Sequence, residues 1–311
     1  MIGIDVGGAN LKLVDDTDII IHYCPLWKGA PLVSLLEKHR TQSNNLAAVV
    51  MSGELADCFR EKSEGISFIV RSVKKVFPNA KFYGTDGLFH NDAVPQLAAA
   101  NWLASADYLR TIYPDAVLLD VGSTTTDIIP LSLFSNLKGL TDIKRLQKGY
   151  LIYTGLLRTS IPTLLRTVTI DGIPTPLSSE FFAISADVHL VLSHIKPNQY
   201  SCDTPDQKGK TKISALRRLA RVVCADLDEI GKQNALGIAD QFWQAQRNVI
   251  CDQVRKVMLD SNSSKVIISG IGSELFVNDL DGIDLSEKLG QVANALPAFA
   301  VKEVALRDHI L

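Results

Sequence analysis

Two short segments of the chain place an aspartate directly before glycines and other small residues, at the end of an apolar run. The first has Asp5 before Gly7 and Gly8, and the second has Asp120 before Gly122 and a run of serine and threonine. The continuous apolar residues predict strands that are buried on both faces. The glycines allow tight turns whose backbone N–H groups can approach an anion. Two such turns facing each other would form a clamp for phosphate.

The residues around the two aspartates supply the other predicted contacts of this clamp. Lys12, seven residues after Asp5, is predicted to be its cationic arm. The predicted phosphate-contacting residues are Gly7, Gly8, Asn10, Gly122, Ser123, Thr124 and Thr125. An ordinary strand-to-turn connection is the alternative for either segment alone, because turns favour Asp, Gly, Ser and Thr. The repetition of one design in both segments favours a shared site.

A divalent cation would explain why a carboxylate stands beside each anion-binding turn. Mg²⁺ prefers oxygen ligands, keeps several waters and bridges one or two carboxylates to substrate phosphates. We therefore predict that Asp5 and Asp120 anchor Mg²⁺ in one crevice.

The two segments resemble the phosphate-one and phosphate-two signatures of the superfamily of actins, heat-shock chaperones and sugar kinases. A third segment, residues 266–275, resembles the adenosine motif of that superfamily, with Gly270, Gly272 and Glu274 as its nucleoside-contacting residues. The resemblance implies an α/β fold of two ribonuclease-H-like, actin-like ATPase domains, with an interdomain cleft and crossing hinge helices. Ala9 stands where many kinases of the superfamily carry threonine, which argues against a simple sugar kinase.

Residues 52–59 and 153–159 resemble a narrower branch, the A subunits of hydantoinases and ATP-dependent oxoprolinases. Within this branch the chain is similar over nearly its whole length to a family of methanofuran-biosynthesis synthases, linked to tetrahydromethanopterin-dependent one-carbon metabolism. The resemblance implies a transferase that joins an aminomethylfuran diphosphate to the phenol of γ-glutamyltyramine, forming an ether and releasing pyrophosphate. The cleft is then expected to hold ATP or a diphosphate ester, and the substrate is a phosphorylated small molecule.

Three further side chains could take part in this chemistry. Glu54 and Asp57 follow a predicted strand and, together with Cys58, are expected at the start of a helix. Either acid could accept the phenol proton, although helix capping by acids is the alternative. Arg158 could bind the diphosphate or a carboxylate through its guanidinium group, or it could be an ordinary surface arginine.

Two other functions stay open at this point. In an ATP-dependent hydrolase or small-molecule kinase, Asp120 or Asp127 would orient the nucleophile while Mg²⁺ and Lys12 neutralise the phosphates. In a non-enzymatic partner protein, nucleotide binding would switch the conformation of the chain. The sequence has neither the Gly-x-Ser-x-Gly elbow of serine hydrolases nor a P-loop, which excludes those two enzyme classes.

Length and composition limit the folds and partners that the chain can have. A chain of 311 residues is long for one core, and we expect domains at 1–92 and 93–311, with a final helix at about 292–307 packing back at the hinge.

A net charge of −2 disfavours nucleic acid as a partner. No apolar stretch is long enough to span a bilayer, and five scattered cysteines indicate reduced thiols, so a cytoplasmic protein is expected. A homo-oligomer is possible.

Local patterns predict several connecting elements. Small residues predict one continuous helix from about 93 to 110, residues 141–172 are predicted as strands and turns, and residues 179–194 as a helix. His189 and His194 are five residues apart on that last helix, a spacing that does not place them on one face, so no shared role is predicted.

Overall fold

The computed structural model describes residues 1–16, 18–40 and 46–310. These residues form a six-stranded sheet, a five-stranded sheet and a two-stranded ribbon. The strands are β1 Ile2–Val6, β2 Asn10–Val14, β3 Ile19–Tyr23, β4 Ala47–Met51, β5 Lys81–Tyr83, β6 Phe89–His90, β7 Ala116–Val121, β8 Thr126–Pro130, β9 Leu151–Ile152, β10 Thr167–Ile170, β11 Ile173–Pro176, β12 Lys265–Ser269 and β13 Ile283–Asp284.

Helices surround the two large sheets. They are α1 Leu32–Glu37, α2 Lys62–Val76, α3 Asn101–Leu109, α4 Phe134–Leu137, α5 Asp142–Lys148, α6 Ser185–Val191, α7 Lys212–Arg221, α8 Leu227–Ser261, α9 Val277–Leu280, α10 Ser286–Leu289 and α11 Leu296–Arg307. Helix α8 is interrupted near its start, because Gly231 has non-helical backbone angles. Within the described ranges, no helix combines the length and the apolar character that a bilayer crossing requires.

The two large sheets repeat one topology. The first has the order β3-β2-β1-β4-β5-β6, and the second has the order β13-β12-β7-β8-β9. In each, the first three strands along the chain form an antiparallel meander, and the next two strands run parallel to the first. The order third, second, first, fourth, fifth in both sheets is the ribonuclease-H-like arrangement. The predicted fold class is therefore confirmed.

Helices α3 and α11 lie between the two sheets and share one hydrophobic core with both. Val50 of β4, Leu118 of β7 and Val301 of α11 are completely or almost completely buried in this core. Helix α11 passes directly over β1 at Gly3, where any Cβ atom would collide with the carbonyl oxygen of Ala298. The last helix of the chain is thus fixed against its first strand, and this contact connects the N-terminal half, with the first sheet, to the C-terminal half.

Three predicted connections differ from the structure. The continuous helix over 93–110 is wrong: Pro95–Leu97 forms a 3-10 turn, Ala99 has a left-handed φ of 47°, and the α-helix begins only at Asn101. Residues 141–172 contain helix α5, which Thr141 caps by accepting a hydrogen bond from the backbone N–H of Lys144. The helix predicted over 179–194 is limited to α6.

Candidate active site

The β1–β2 and β7–β8 hairpins end in the same tight turn. The backbone N–H of Gly7 donates to the carbonyl oxygen of Asn10 at 2.9 Å, and the N–H of Gly122 donates to that of Thr125 at 2.9 Å. The central N–H groups of the turns belong to residues 8, 9, 123 and 124, and among the described residues none of them has a protein acceptor. Both turns therefore keep backbone donors for an anion.

Glycines on neighbouring loops hold each turn closely from behind. A Cβ atom on Gly53 would lie 2.8 Å from the carbonyl carbon of Gly7, and one on Gly155 would lie 2.7 Å from the carbonyl oxygen of Gly122. The carbonyl oxygen of Gly122 also accepts a hydrogen bond from the N–H of Leu156 at 2.9 Å. These contacts fix the turn carbonyls on the protein side. Gly155 was not predicted as a site residue, because only the fold brings it to the second turn.

The charged residues of the two hairpins occupy equivalent positions. Asp5 pairs across β1–β2 with Lys12, and Asp120 pairs across β7–β8 with Asp127. The two hairpins thus repeat an aspartate on the first strand but carry opposite charges on the second strand. Asp5 is buried.

The charges of the two hairpins act across the two sheets on the pKa values of Asp5 and Asp120. Burial raises the pKa of Asp5 to about 6, against the opposing charge of Lys12 and with a further contribution from Asp127. Burial also raises the pKa of Asp120 to about 7, opposed by Lys12 and assisted by the charges of Asp127 and Asp5. Such mutual effects require short distances through a weakly screening medium. Together with the cross-strand pairs Asp5–Lys12 and Asp120–Asp127, these effects group the four residues as one acid cluster.

Asp127 has a strong cationic partner that the sequence did not reveal. Its Oδ1 accepts a short hydrogen bond from Arg145, whose other terminal nitrogen donates to Asp142 at 2.9 Å. The Arg145 guanidinium is buried and stacks over the ring of Trp102, with 4.3 Å from its central carbon to the ring centroid. Burial raises the pKa of Asp127, and the charge of Arg145 opposes that rise. This aspartate is therefore oriented by the protein itself.

The acid pair Asp5 and Asp120 fits a magnesium ion. Oδ1 of Asp5 is buried and has no hydrogen-bond partner within the described part of the chain. The same residues contain no cluster of three or more His, Cys, Asp or Glu side chains suited to a metal. Mg²⁺ commonly takes only one or two carboxylates and completes its shell with water and phosphate oxygens. The donor set therefore suits this ion better than a metal held by protein ligands alone.

Arg158 lies beside the second turn and contacts the N-terminal half. Its guanidinium donates to Thr124 Oγ1 at 3.4 Å and stacks over the ring of Trp27, 4.6 Å from the centroid. Its backbone N–H donates to the carbonyl oxygen of Ser123 at 3.0 Å. Arg158 therefore lies next to the second turn, its binding of a diphosphate or a carboxylate stays a prediction, and no motif indicated its contact with Trp27.

The two predicted bases have different environments. Strand β4 ends at Met51 and α2 begins at Lys62, so Glu54 and Asp57 lie in a loop, and the predicted helix start at these residues is wrong. Glu54 is 1% exposed, its Oε2 has no partner among the described residues, and burial raises its pKa. Asp57 is exposed. Of the two, only Glu54 has a buried carboxyl group with an unpartnered oxygen, as a base in a closed site requires.

The adenosine-like segment lies against the second aspartate. Gly270 follows β12 with a φ of +89°, and a Cβ atom there would collide with Oδ1 of Asp120. The N–H of Gly272 donates to the carbonyl oxygen of Val121 at 3.2 Å. Glu274 is exposed in a 3-10 turn. The two glycines are therefore adjacent to the acid cluster, and the role of all three residues stays a prediction.

A buried polar chain supports the second turn, and it corrects the prediction for the histidines. His189 Nδ1 lies 3.0 Å from His194 Nδ1, because the left-handed residue Ser193 turns the chain back after α6. His189 Nε2 lies 3.0 Å from Gln246 Oε1, and the Gln246 amide donates to the carbonyl oxygen of Gly155 at 2.9 Å. The two histidines thus share a structural role in positioning the loop behind the turn.

Comparison with known proteins assigns the family. Residues 45–300 match the family model described as Hydantoinase/oxoprolinase. A (4-{4-[2-(gamma-L-glutamylamino)ethyl]phenoxymethyl}furan-2-yl)methanamine synthase from Methanocaldococcus jannaschii is 36% identical over 320 residues, covering 98% of this chain and 97% of the relative. A synthase of the same name from Methanococcus vannielii is 35% identical over 211 residues, covering 65% of this chain and 95% of the relative.

Among solved structures, a ROK hexokinase from Thermus thermophilus is similar with a TM-score of 0.41 and 12% identity, covering 99% of both chains. The synthase from Methanocaldococcus jannaschii has a much higher identity to this chain and matches 98% of it. The chain belongs to the hydantoinase/oxoprolinase family and, within it, to the family of (4-{4-[2-(gamma-L-glutamylamino)ethyl]phenoxymethyl}furan-2-yl)methanamine synthases.

Proposed function

We propose that the protein catalyses ether formation between a furanylmethyl donor and the phenol of γ-glutamyltyramine. The observation that carries this proposal is the 36% identity to a named synthase over 98% of the chain. The product in that name contains a phenoxymethyl link, which joins a phenol oxygen to the methylene carbon of an aminomethylfuran. The bond to be made is therefore a carbon–oxygen bond to an activated methylene.

The donor in this proposal is an aminomethylfuran diphosphate. The phenol oxygen bonds to the furanylmethyl carbon, the bond from that carbon to the diphosphate oxygen breaks, and pyrophosphate leaves with the electron pair. The phenol proton passes to a base. The glycine turns support a diphosphate leaving group, because backbone donors that hold it also stabilise the charge that develops as it departs.

The described residues divide into roles that suit this reaction. The free N–H groups of the two turns bind the diphosphate, and Lys12 neutralises part of its charge. Asp5 and Asp120 would hold Mg²⁺, which supplies further charge neutralisation for the leaving group when it is bound. Arg158 contacts the diphosphate or a carboxylate beside the second turn. Glu54 accepts the phenol proton in this scheme, since it is buried and has a free carboxylate oxygen.

A reconstituted reaction tests the proposal. Purified protein is incubated with Mg²⁺, aminomethylfuran diphosphate and γ-glutamyltyramine, and the products are followed by mass spectrometry and a pyrophosphate assay. We expect ether and pyrophosphate in equal amounts, and neither when the acceptor is left out. Pyrophosphate release without any ether, or no turnover with both substrates, would overturn the proposal.

ATP-dependent chemistry is the second candidate, and one observation favours it. The adenosine-like glycine Gly270 packs directly on Asp120, so a nucleoside site would adjoin the acid cluster. In that case Asp120 or Asp127 orients a hydroxyl or amide nucleophile. Calorimetry with ATP and Mg²⁺ separates the two candidates: tight ATP binding with phosphate release favours the hydrolase or kinase, and absence of ATP binding favours the synthase.

A further inference from the structure

A cavity of about 580 Å³ lies beside Arg158 and is lined by both halves of the chain. Tyr23 and Trp27 line it from the N-terminal half, while Phe181 and most of the residues from 202 to 210 line it from the C-terminal half. Its volume is in the range of about 300–1,000 Å³ that small-molecule sites occupy. The residues of the two glycine turns do not line it. The cavity is therefore a compartment next to the predicted diphosphate clamp and distinct from it.

The cavity has an excess of positive charge. Lys28, Arg158, Lys208 and Lys210 line it, and Asp203 is the acid among its lining residues. Asp203 is already neutralised, because the Lys28 ammonium lies 2.6 Å from its Oδ2 and the Tyr23 hydroxyl donates to the same oxygen at 3.2 Å. Within the described residues, none of the other three cations lies within 4.0 Å of a carboxylate. An excess of cations over acids around one cavity indicates an anionic ligand.

Aromatic side chains also line this cavity. Phe181 is 59% exposed and Tyr23 is 39% exposed, although both are large apolar rings on a cavity wall. Trp27 contributes a further ring, on which the Arg158 guanidinium stacks. Exposed rings combined with cations that lack a carboxylate partner suit a ligand that has both an aromatic part and an anionic part.

The segment that carries the two lysines is held in place by buried contacts. Arg218 is completely buried and donates to Asp206 Oδ1 at 3.1 Å and to the carbonyl oxygen of Gly209 at 3.3 Å. The Thr204 hydroxyl donates to the carbonyl oxygen of Lys208 at 2.9 Å. The backbone at Lys208 and Lys210 is therefore positioned before any ligand binds, which lowers the entropic cost of binding.

We propose that this cavity binds the acceptor substrate, an aromatic amide whose far end carries a carboxylate, and that Lys208 and Lys210 bind that carboxylate. This inference rests on the proposed ether synthesis. Arg158 contacts both the second turn and Trp27, so it lies where the acceptor ring would meet the diphosphate. The proposed function assigns the donor's diphosphate to the turns, which leaves this cavity for the acceptor. In this arrangement the acceptor lies between the N-terminal and C-terminal halves of the chain. The two halves meet there, since Lys28 contacts Asp203 and Trp27 contacts Arg158.

Substrate truncation combined with lysine removal tests this assignment. The Lys208→Ala/Lys210→Ala variant is compared with wild type, using γ-glutamyltyramine and tyramine, which lacks the glutamyl carboxylate. We expect the KM for γ-glutamyltyramine to rise about 10-fold or more, with the KM for the donor unchanged, because a charge-assisted contact is lost. For tyramine, variant and wild type should behave alike. Lys196→Ala, an exposed lysine before this segment, is the matched control.

Binding measured without turnover separates this inference from the proposed function. Calorimetry should show that γ-glutamyltyramine binds wild type more tightly than tyramine does, and that the double variant loses this difference. If the difference is present but no ether forms, the cavity assignment holds and the proposed reaction fails. An unchanged KM for γ-glutamyltyramine in the double variant would overturn the assignment. A raised KM for the donor instead would also overturn it. Thermal melting of each variant checks that it is folded.

Discussion

Glu54 is a carboxyl group that the fold buries without giving its Oε2 a hydrogen-bond partner among the described residues. Lys62 is its nearest cation, with 3.9 Å from Nζ to Oε1. A buried polar atom without a partner is costly, and in native proteins it often marks a site of function. Asp57, three residues later and exposed, is a natural comparison for it.

Replacing the two acids in turn tests which of them acts as the base. Glu54→Gln should lower kcat by about 100-fold or more, because a positioned general base contributes at least that factor. Asp57→Asn should keep a kcat close to that of wild type. Steady-state kinetics with saturating donor and acceptor measure both. An unchanged kcat for Glu54→Gln would remove this residue from the mechanism.

His189 predicts a pH dependence of stability. Burial lowers the pKa of His189 to about 3, while the unfolded chain titrates near its ordinary value of 6.5. Between these values the unfolded state binds a proton that the native state does not, so stability falls as the pH is lowered. This one group contributes a slope of at most about 1.4 kcal/mol per pH unit.

The His189→Gln variant should therefore show a shallower loss of stability below pH 6.5 than wild type. Denaturant unfolding at a series of pH values gives the slopes. His309→Gln, which changes an exposed histidine, is the control and should follow wild type. Equal slopes for all three proteins would show that His189 does not remain neutral in the native state.

At the scale of elements, one buried ion pair connects helix α6 to helix α7 and fixes the segment between them. The Arg218 guanidinium on α7 lies 2.6 Å from Asp187 Oδ1 on α6, and both side chains are completely buried. The Tyr200 hydroxyl donates to the same carboxylate oxygen at 3.1 Å. Buried pairs add little net stability, but the loss of one partner leaves an uncompensated charge.

Arg218→Met should therefore destabilise the protein by about 3–5 kcal/mol, measured by urea unfolding. Arg217→Met, which alters the exposed neighbour on the same helix, should have a small effect. Removing both charges with Arg218→Met/Asp187→Leu should recover part of the loss. A single variant as stable as wild type would contradict the central role given to this pair.

The sequence predicted the elements that depend on continuous apolar runs and missed those that depend on contacts between distant residues. Strands β1, β4 and β7 lie where they were expected, because buried strands carry an uninterrupted apolar signal. The break at Ala99 gives no such signal, since alanine is typical of helices. The partnership of Arg145 with Asp127 and the return of His194 onto His189 both arise from tertiary packing.

At the scale of the molecule, two sheets of one topology are joined by helices α3 and α11. We propose that residues 1–92 and 93–311 are the two domains, that these helices are the hinge, and that the ion pair of Lys28 with Asp203 forms as the cleft closes. A cytoplasmic location and the oligomeric state stay predictions.

Ligand-dependent stability tests whether both sheets contribute to one anion site. Pyrophosphate with Mg²⁺ should raise the melting temperature of wild type, since saturation at 100 times Kd adds about 2.7 kcal/mol. Asp120→Asn and Asp5→Asn should each reduce this rise, while Asp57→Asn should keep it. Chelation of Mg²⁺ should abolish it. A rise that is independent of Mg²⁺ and of both acids would place the ligand elsewhere.

The backbone of the two hairpins is repeated, but the opposite charges of Lys12 and Asp127 make the two sides of the cleft electrostatically different. Two identical hairpins would treat the ends of a symmetrical anion alike. With Lys12 on one side and Asp127, paired with Arg145, on the other, we expect the more negative end of a diphosphate ester to lie towards Lys12 and its carbon to be turned away. The orientation of the donor, and with it the direction in which its reactive carbon meets the acceptor, would then be set by a single difference between duplicated strands.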